Sequence, residues 1–256
     1  MTALLTVENL SVRFPIKRGW GNTSWLYAVD DVSFEVQRGE TLAIVGESGS
    51  GKTTAALGVA RLVGNSGGKV DLAGEDFLAL KPEALRRARA KVQVIFQDPY
   101  SSLNPRLRAE AIVREPMDSI GTLPVDQRPA RVAELFEQVG LRPQQMKLFP
   151  HQFSGGQRQR IGIARALATN PELIICDEAV SALDVAVQAQ ILNLLRRLQR
   201  DLGLTYLFIS HDLSVVRHMA DDVIVMYLGR AVEMGPKAQI FATPHHPYTK
   251  ALLSAT

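Results

Sequence analysis

The sequence predicts an α/β fold on a mainly parallel sheet, with an antiparallel β part at the N-terminus and an inserted helical subdomain. Three observations lead there. Short apolar runs that read as buried strands recur at 41–45, 92–96, 172–176, 204–209 and 222–228, with helical stretches between them; this alternation is what parallel strands joined by crossover helices require. Ahead of all of them, 4–14 and 24–36 alternate apolar with polar residues, like half-buried antiparallel strands. The rhythm breaks over 98–165, which holds Pro99, Pro105, Pro116, Pro124, Pro129, Pro143 and Pro150 with one periodic helix, 126–139, among them. The expected organisation is a single domain whose core is 1–97 with 166–256, and whose insertion is 98–165. A chain of 256 residues is long enough for one such core.

Composition narrows the function classes. The 29 basic and 26 acidic residues are spread along the chain and nearly cancel, leaving +3, so charge gives no ground for a nucleic-acid partner. A single cysteine, Cys176, excludes an internal disulfide framework and a multi-cysteine metal site within one chain; it reads as core. The opening MTALLTVENL lacks the basic segment of an export signal, and no apolar run approaches the ~18 residues that span a bilayer. The expectation is a chain that is soluble, or bound to a membrane only through partners.

The first strand run, TLAIV, leads into GESGSGKTT at 46–54 and a helix expected over 51–63. Gly46, Gly49 and Gly51 allow positive φ and let main-chain N–H groups converge, and the helix start adds further donors. Such a nest binds an anion. The spacing Gly46-x-x-x-x-Gly51-Lys52-Thr53 matches the P-loop pattern: Lys52 is placed for β- and γ-phosphates, and the Thr53 hydroxyl for a Mg²⁺ ion. The fold class is therefore a P-loop NTPase core.

A second helix start open to an anion lies in FSGGQRQRIGIARAL, where Ser154 reads as the N-cap and Ile161, Ala164 and Leu167 share a face. It is either an ordinary capped helix or the completion of a nucleotide site on another chain. Next, LIICDE brings Asp177 and Glu178 to the C-terminal end of a buried strand, the edge at which α/β sheets bind ligands. Asp177 suits Mg²⁺ by way of water, and Glu178 suits orienting the attacking water. The strand TYLFIS then ends in His211, which would reach the same edge. Asp184 reads as the N-cap of a helix at 185–200. His245 and His246 are adjacent and would point apart on a helix or strand, so contacts within the tail are expected of them rather than a metal.

The order P-loop, Gln97 after a strand, SGGQ, LIICDE, SALD and SHD resembles the ATP-binding cassette ATPases over nearly the whole chain. The resemblance implies ATP and Mg²⁺ as ligands and a head-to-tail dimer of two ATPase subunits. It implies that Gly46, Glu47, Ser48, Gly49, Ser50, Gly51, Lys52, Thr53 and Thr54 cradle phosphates. Gln97 would ligand Mg²⁺ with Thr53 and Asp177, Glu178 would be the general base, and His211 would hold the γ-phosphate. Ser154, Gly155, Gly156 and Gln157 would face the partner's nucleotide, Asp184 would couple the two sites, and Phe14 would stack on adenine, with Tyr27 its rival.

A narrower likeness lies in FQDPYSSLNPR (96–106), DEAVSALD (177–184), SHDLSVVRHMADDVIVMYLGR (210–230) and HHPYTKALLSA (245–255). These resemble the ATPase subunits of dipeptide, oligopeptide and nickel importers, the dipeptide type above all. Phe153 in place of leucine before SGGQ, and Ala179-Val180 in place of Pro-Thr, depart from the pattern without removing a ligand. The implied protein is a peripheral ATPase on the cytoplasmic face of the inner membrane that drives uptake of peptide or a related solute, nickel or a metal chelate among them. Its implied partners are a second ATPase subunit, identical or paralogous, transmembrane permease subunits and, indirectly, an extracytoplasmic solute-binding protein. The alternative is a non-transport cassette ATPase acting on nucleic acid or ribosomes, which would be expected to carry a long coiled-coil insertion or a second cassette.

Overall fold

The computed structural model describes residues 3–18, 22–98 and 100–254; Pro99 lies outside them. In chain order the elements begin β1 (Ala3–Arg18), β2 (Asn22–Gln37), β3 (Thr41–Val45), α1 (Lys52–Val59), β4 (Gly67–Leu72), β5 (Glu75–Asp76), α2 (Pro82–Ala88), β6 (Val92–Ile95) and α3 (Ala109–Ile120). They continue α4 (Arg128–Gln138), α5 (Gly155–Leu167), β7 (Leu173–Asp177), α6 (Val185–Leu202) and β8 (Thr205–Ile209). The last are α7 (Leu213–Met219), β9 (Asp222–Tyr227), β10 (Arg230–Pro236), α8 (Lys237–Ala242) and α9 (Pro247–Ser254). The architecture is α/β, with an antiparallel N-terminal sheet and a mostly parallel mixed sheet. By packing, the chain divides into two compact units, Met1–Lys81 with Thr205–Thr256, and Pro82–Leu204.

In the first unit, all five residues of TLAIV are buried because β3 has neighbours on both edges and cover on both faces. It pairs in parallel with β8 and with β9, so that Ala43 lies opposite Phe208 on one side and Val223 on the other. The antiparallel β10 follows at the edge beyond β9. Ala43, Val45, Val223 and Val225 bury one face against Leu213 and Val216 of α7 and Ile240 of α8. A separate sheet in the order β2-β1-β4-β5 is antiparallel throughout. In the second unit, β6 and β7 run in parallel, Val92 opposite Leu173 and Ile95 opposite Cys176. There α3, α4 and α5 pack together around buried Ile112, Met117, Leu135, Phe136, Ile161 and Ile163.

Elements α1, β4, β10 and α3 differ from the sequence reading. Helix α1 stops at Val59 rather than 63, because Arg61 turns left-handed (φ 53°) and Leu62 N–H donates back to Leu57 O. That closure usually employs glycine, so an arginine there gives no signal. Strands β4 and β10 were not foreseen: GGKVDL opens on two glycines, and RAVEMGP is an exposed edge strand without an apolar run. Helix α3 passes through Pro116, which hid it among the prolines.

Candidate functional site

The glycine loop after β3 belongs to the first unit and is held from two sides. A Cβ on Gly46 (φ 148°) would lie 2.3 Å from Met226 O, and one on Gly51 (φ 101°) 2.2 Å from Ala28 O, so neither position admits a side chain. Gly229 N–H donates to Ser50 O (2.9 Å), and Ser50 N–H closes a turn onto Glu47 O (3.2 Å). The Ser50 hydroxyl is buried among these groups with no hydrogen-bond partner among the described residues. Lys52 is only 5% exposed; its Nζ donates to Gly46 O and Glu47 O, each at 2.8 Å, which places the ammonium inside the curl of the loop. Among the described residues the N-cap of α1, Gly51, brings no capping side chain, and the first turn holds no acidic residue, so the positive end of the helix favours an anion. Thr53 and Thr54 stand in that first turn, Thr53 exposed.

Also in this unit, Ser210-His211-Asp212 forms the turn from β8 into α7. Asp212 N–H donates to Ser210 Oγ (3.0 Å), and Asp212 Oδ1 accepts from Ser214 N (2.8 Å) and Ser214 Oγ (2.7 Å), fixing the turn with His211 exposed. Burial works to raise the Asp212 carboxyl; the hydrogen bonds from Ser214 and Val215 and the neighbouring His211 outweigh it and hold it below the usual carboxylate range.

The second unit brings together Gln97, after β6, and Glu178, after β7: Gln97 Nε2 donates to Glu178 Oε2 at 2.9 Å across 81 residues of sequence. Asp177, at the end of β7, is 8% exposed. Glu178 has φ 47°, a left-handed backbone that is uncommon for any residue but glycine. Its carbonyl accepts from Ser181 N (3.1 Å) and Ser181 Oγ (3.0 Å). The buried Cys176 lies just before these two acids, and burial, joined by Asp177, pushes its thiol up.

Ser154 caps α5 reciprocally: its Oγ accepts from Gln157 N (3.3 Å), and Gln157 Oε1 accepts from Ser154 N (3.0 Å). Asp184 caps α6 through Val187 N (3.0 Å). A Cβ on Gly155 would make only ordinary contacts, 3.5 Å from Leu183 Cδ2 and 3.8 Å from Tyr100 Oη. On Gly156 it would lie 2.5 Å from Val187 Cγ1. Val187 is stiff at χ1 and has little room to yield. Gly156→Ala is therefore expected to lower stability by about 1–3 kcal/mol, measured by thermal melting, and Val187→Ala should restore most of the loss; an unchanged melt would remove this contact as the reason for the glycine.

The aromatic candidates separate. In the β1–β2 register Phe14 lies opposite Leu26 and Tyr27 opposite Arg13, so the two rings stand on opposite faces of the sheet. Both are exposed, 40% and 50%.

Two features escaped the sequence reading. Arg158, in α5, lays its guanidinium 4.0 Å over the Tyr100 ring and donates from Nε to Phe153 O (3.1 Å), bracing the approach to Ser154. Tyr248, in α9, accepts from Glu47 N–H at 2.9 Å through its hydroxyl. The quoted HHPYT run was the only signal for it. As expected, His245 and His246 make tail contacts: their backbone N–H groups donate to Glu233 Oε1 (2.8 Å) and Oε2 (3.0 Å). Burial works to raise the Glu233 carboxyl, and these donors outweigh it and hold it low.

An α/β core with a glycine loop joining a buried strand to a helix defines the class as a P-loop ATPase. The chain belongs to the ABC transporter family, whose model matches residues 29–181, and the model of the oligopeptide/dipeptide transporter C-terminal region matches 232–256. ATP hydrolysis is the function of that family, and the chain is an ATPase. It is 53% identical over 255 residues to the probable peptide ABC transporter ATP-binding protein y4tS of Sinorhizobium fredii, covering 99% of this chain and 72% of the relative. It is 50% identical over 254 residues to the dipeptide transport ATP-binding protein DppF of Escherichia coli strain K12, covering 99% and 76%. With the glutathione import ATP-binding protein GsiA of that strain it shares 52% identity over 254 residues, 98% of this chain but 41% of the relative, so it spans less than half of that protein. Among solved structures, the dimeric post-hydrolysis state of the ATP-binding cassette MJ0796, bound to ADP and Pi, superposes with a TM-score of 0.79 at 29% identity, covering 91% of this chain and 98% of that one. Among the described residues no helix is long and apolar enough to cross a membrane.

Proposed function

We propose that the chain is the ATP-hydrolysing subunit of a membrane importer, coupling ATP binding, dimerisation and hydrolysis to uptake of peptides or a related small solute. The observation that carries this reading is the match of 232–256 to the oligopeptide/dipeptide transporter C-terminal region, beside a match to ABC transporters over 29–181. Relatives named for peptide and dipeptide transport support it. On this reading the chain acts as one ATPase domain with 98–165 as its inserted helical subdomain. It sits on the cytoplasmic face of the inner membrane against permease subunits, fed by an extracytoplasmic solute-binding protein.

The phosphates of ATP lie in the loop 46–54, whose backbone is already curled around Lys52. The ammonium exchanges the carbonyls of Gly46 and Glu47 for β- and γ-phosphate oxygens, and its charge offsets the triphosphate. Thr53, Gln97 and Asp177 offer a hydroxyl, an amide oxygen and a carboxylate, hard oxygen donors that fit Mg²⁺. When bound, that ion would neutralise charge on the transferred phosphoryl group. Glu178 receives the proton of the attacking water, and Gln97, already bonded to its carboxylate, orients it. The left-handed backbone of Glu178 fits a residue whose placement is set by its task. His211 holds the γ-phosphate from the fixed 210–212 turn. Ser154, Gly155, Gly156 and Gln157 close over the nucleotide of a partner subunit, identical or paralogous, and Asp184 links the two sites; the dimeric state of MJ0796 supports this arrangement. Phe14 or Tyr27 stacks on adenine.

In cells whose copy of this chain carries Glu178→Gln, uptake of a labelled dipeptide should fall to background. Loss of nickel uptake with dipeptide uptake intact would move the solute class to the metal. No change in either, together with stimulation of the purified ATPase by DNA, would overturn the importer reading in favour of a nucleic-acid ATPase.

A further inference from the structure

The C-terminal segment reaches the phosphate loop through the side chain of Tyr248. Tyr248 Oη accepts the Glu47 N–H at 2.9 Å, across 201 residues of sequence. Glu47 is the second residue of the loop, and its carbonyl and that of Gly46 before it hold Lys52. The Tyr248 ring is itself held: it packs on Tyr227 at 4.4 Å between centroids, and Tyr227 follows Met226, whose carbonyl abuts Gly46. Its backbone is held as well. Tyr248 N–H donates to His246 Nδ1 (3.1 Å), Lys250 N–H donates to His246 O (3.1 Å), and both oxygens of Glu233 take the His245 and His246 N–H groups. The run His245-His246-Pro247-Tyr248 is thus a turn anchored on β10, with the Tyr248 hydroxyl directed to the loop.

Glu47 is exposed, so water could satisfy its N–H without help. A side chain placed there does something water does not: it fixes the direction of the first peptide of a glycine-rich segment that must otherwise be ordered when phosphate binds. We propose that Tyr248 is a positioning residue that holds the phosphate loop in its binding-competent form, so that the segment carrying the oligopeptide/dipeptide transporter C-terminal match sets nucleotide affinity. This rests on the reading of 46–54 as the phosphate site.

Tyr248→Phe removes the hydroxyl and leaves the ring on Tyr227. Titrated with a fluorescent ATP analogue, it should bind about three- to tenfold more weakly, the size of one ordinary hydrogen bond, with melting in the absence of nucleotide unchanged. Lys52→Ala is measured alongside. If Lys52→Ala loses binding while Tyr248→Phe keeps wild-type affinity, whatever its melting temperature, the strap is overturned and the phosphate site stands. If both variants bind as wild type, the loop is not the nucleotide site and both readings fall. Glu233→Gln, which loosens the turn without touching the loop, should weaken binding in the same direction. Because Glu233 acts only through Tyr248, the double variant Glu233→Gln with Tyr248→Phe should bind no worse than Tyr248→Phe alone. Additive losses would overturn the proposal, including where Tyr248→Phe also lowers the melting temperature.

Discussion

Lys52→Ala is expected to bind a fluorescent ATP analogue at least about 100-fold more weakly than the wild-type chain, a loss of ~2.7 kcal/mol or more. The size follows from where the ammonium sits. With its side chain 5% exposed and its Nζ donating to two loop carbonyls, Lys52 is a cation held inside the backbone curl. Hydrogen bonds to a charged group contribute about 1.5–3 kcal/mol each, and a triphosphate oxygen forms such bonds more strongly than a neutral carbonyl does. Removing the charge leaves the loop only neutral donors, its backbone N–H groups and its serine and threonine hydroxyls, and none of them restores the charge. Lys52→Arg should fail as well, because a planar guanidinium does not fit the compact niche between Gly46 O and Glu47 O. A melting curve for each variant separates lost binding from lost fold. Wild-type affinity in a folded Lys52→Ala chain would remove Lys52 from the site.

What could be read from the sequence divides along sequence distance. The strand-loop-helix at 41–59 and the caps Ser154 and Asp184 are local: each depends on residue types within a few positions, and each appears where those types stand. The pairing of Gln97 with Glu178 spans 81 residues and that of Glu47 with Tyr248 spans 201, so no local pattern could signal either. The choice between Phe14 and Tyr27 was hidden for another reason. Register shifts interrupt the β1–β2 ladder, one of them between Val12 and Arg13, and each shift exchanges the faces on which later side chains stand. Counting alternation from the N-terminus therefore cannot tell which ring faces which way. The two glycines of SGGQ look alike in sequence, yet only Gly156 is pressed against Val187.

That difference makes Gly155 the clean probe of the shared active site. Glu178→Gln is expected to slow turnover at least about 100-fold, the usual worth of a general base, while ATP stays bound. Its shape is preserved, its amide oxygen still accepts from Gln97, and glutamine meets the left-handed backbone no worse than glutamate does. Alone, or with its natural partner subunit, this variant should form a dimer on size-exclusion chromatography when ATP is added. Gly155→Asp is then placed on top of it. The new Cβ meets Leu183 and Tyr100 at ordinary distances, and a carboxylate in the first turn of α5 lies at the end of a helix that favours negative charge. The fold therefore has no reason to suffer. If Ser154-Gly155-Gly156 only caps α5, the double variant dimerises with ATP as Glu178→Gln does. If the loop closes over a partner's γ-phosphate, the carboxylate meets a like charge, and the double variant should bind ATP yet elute as a monomer. An ATP-dependent dimer would sink the assignment of this loop to the nucleotide, leaving Ser154 and its glycines a helix cap and nothing more.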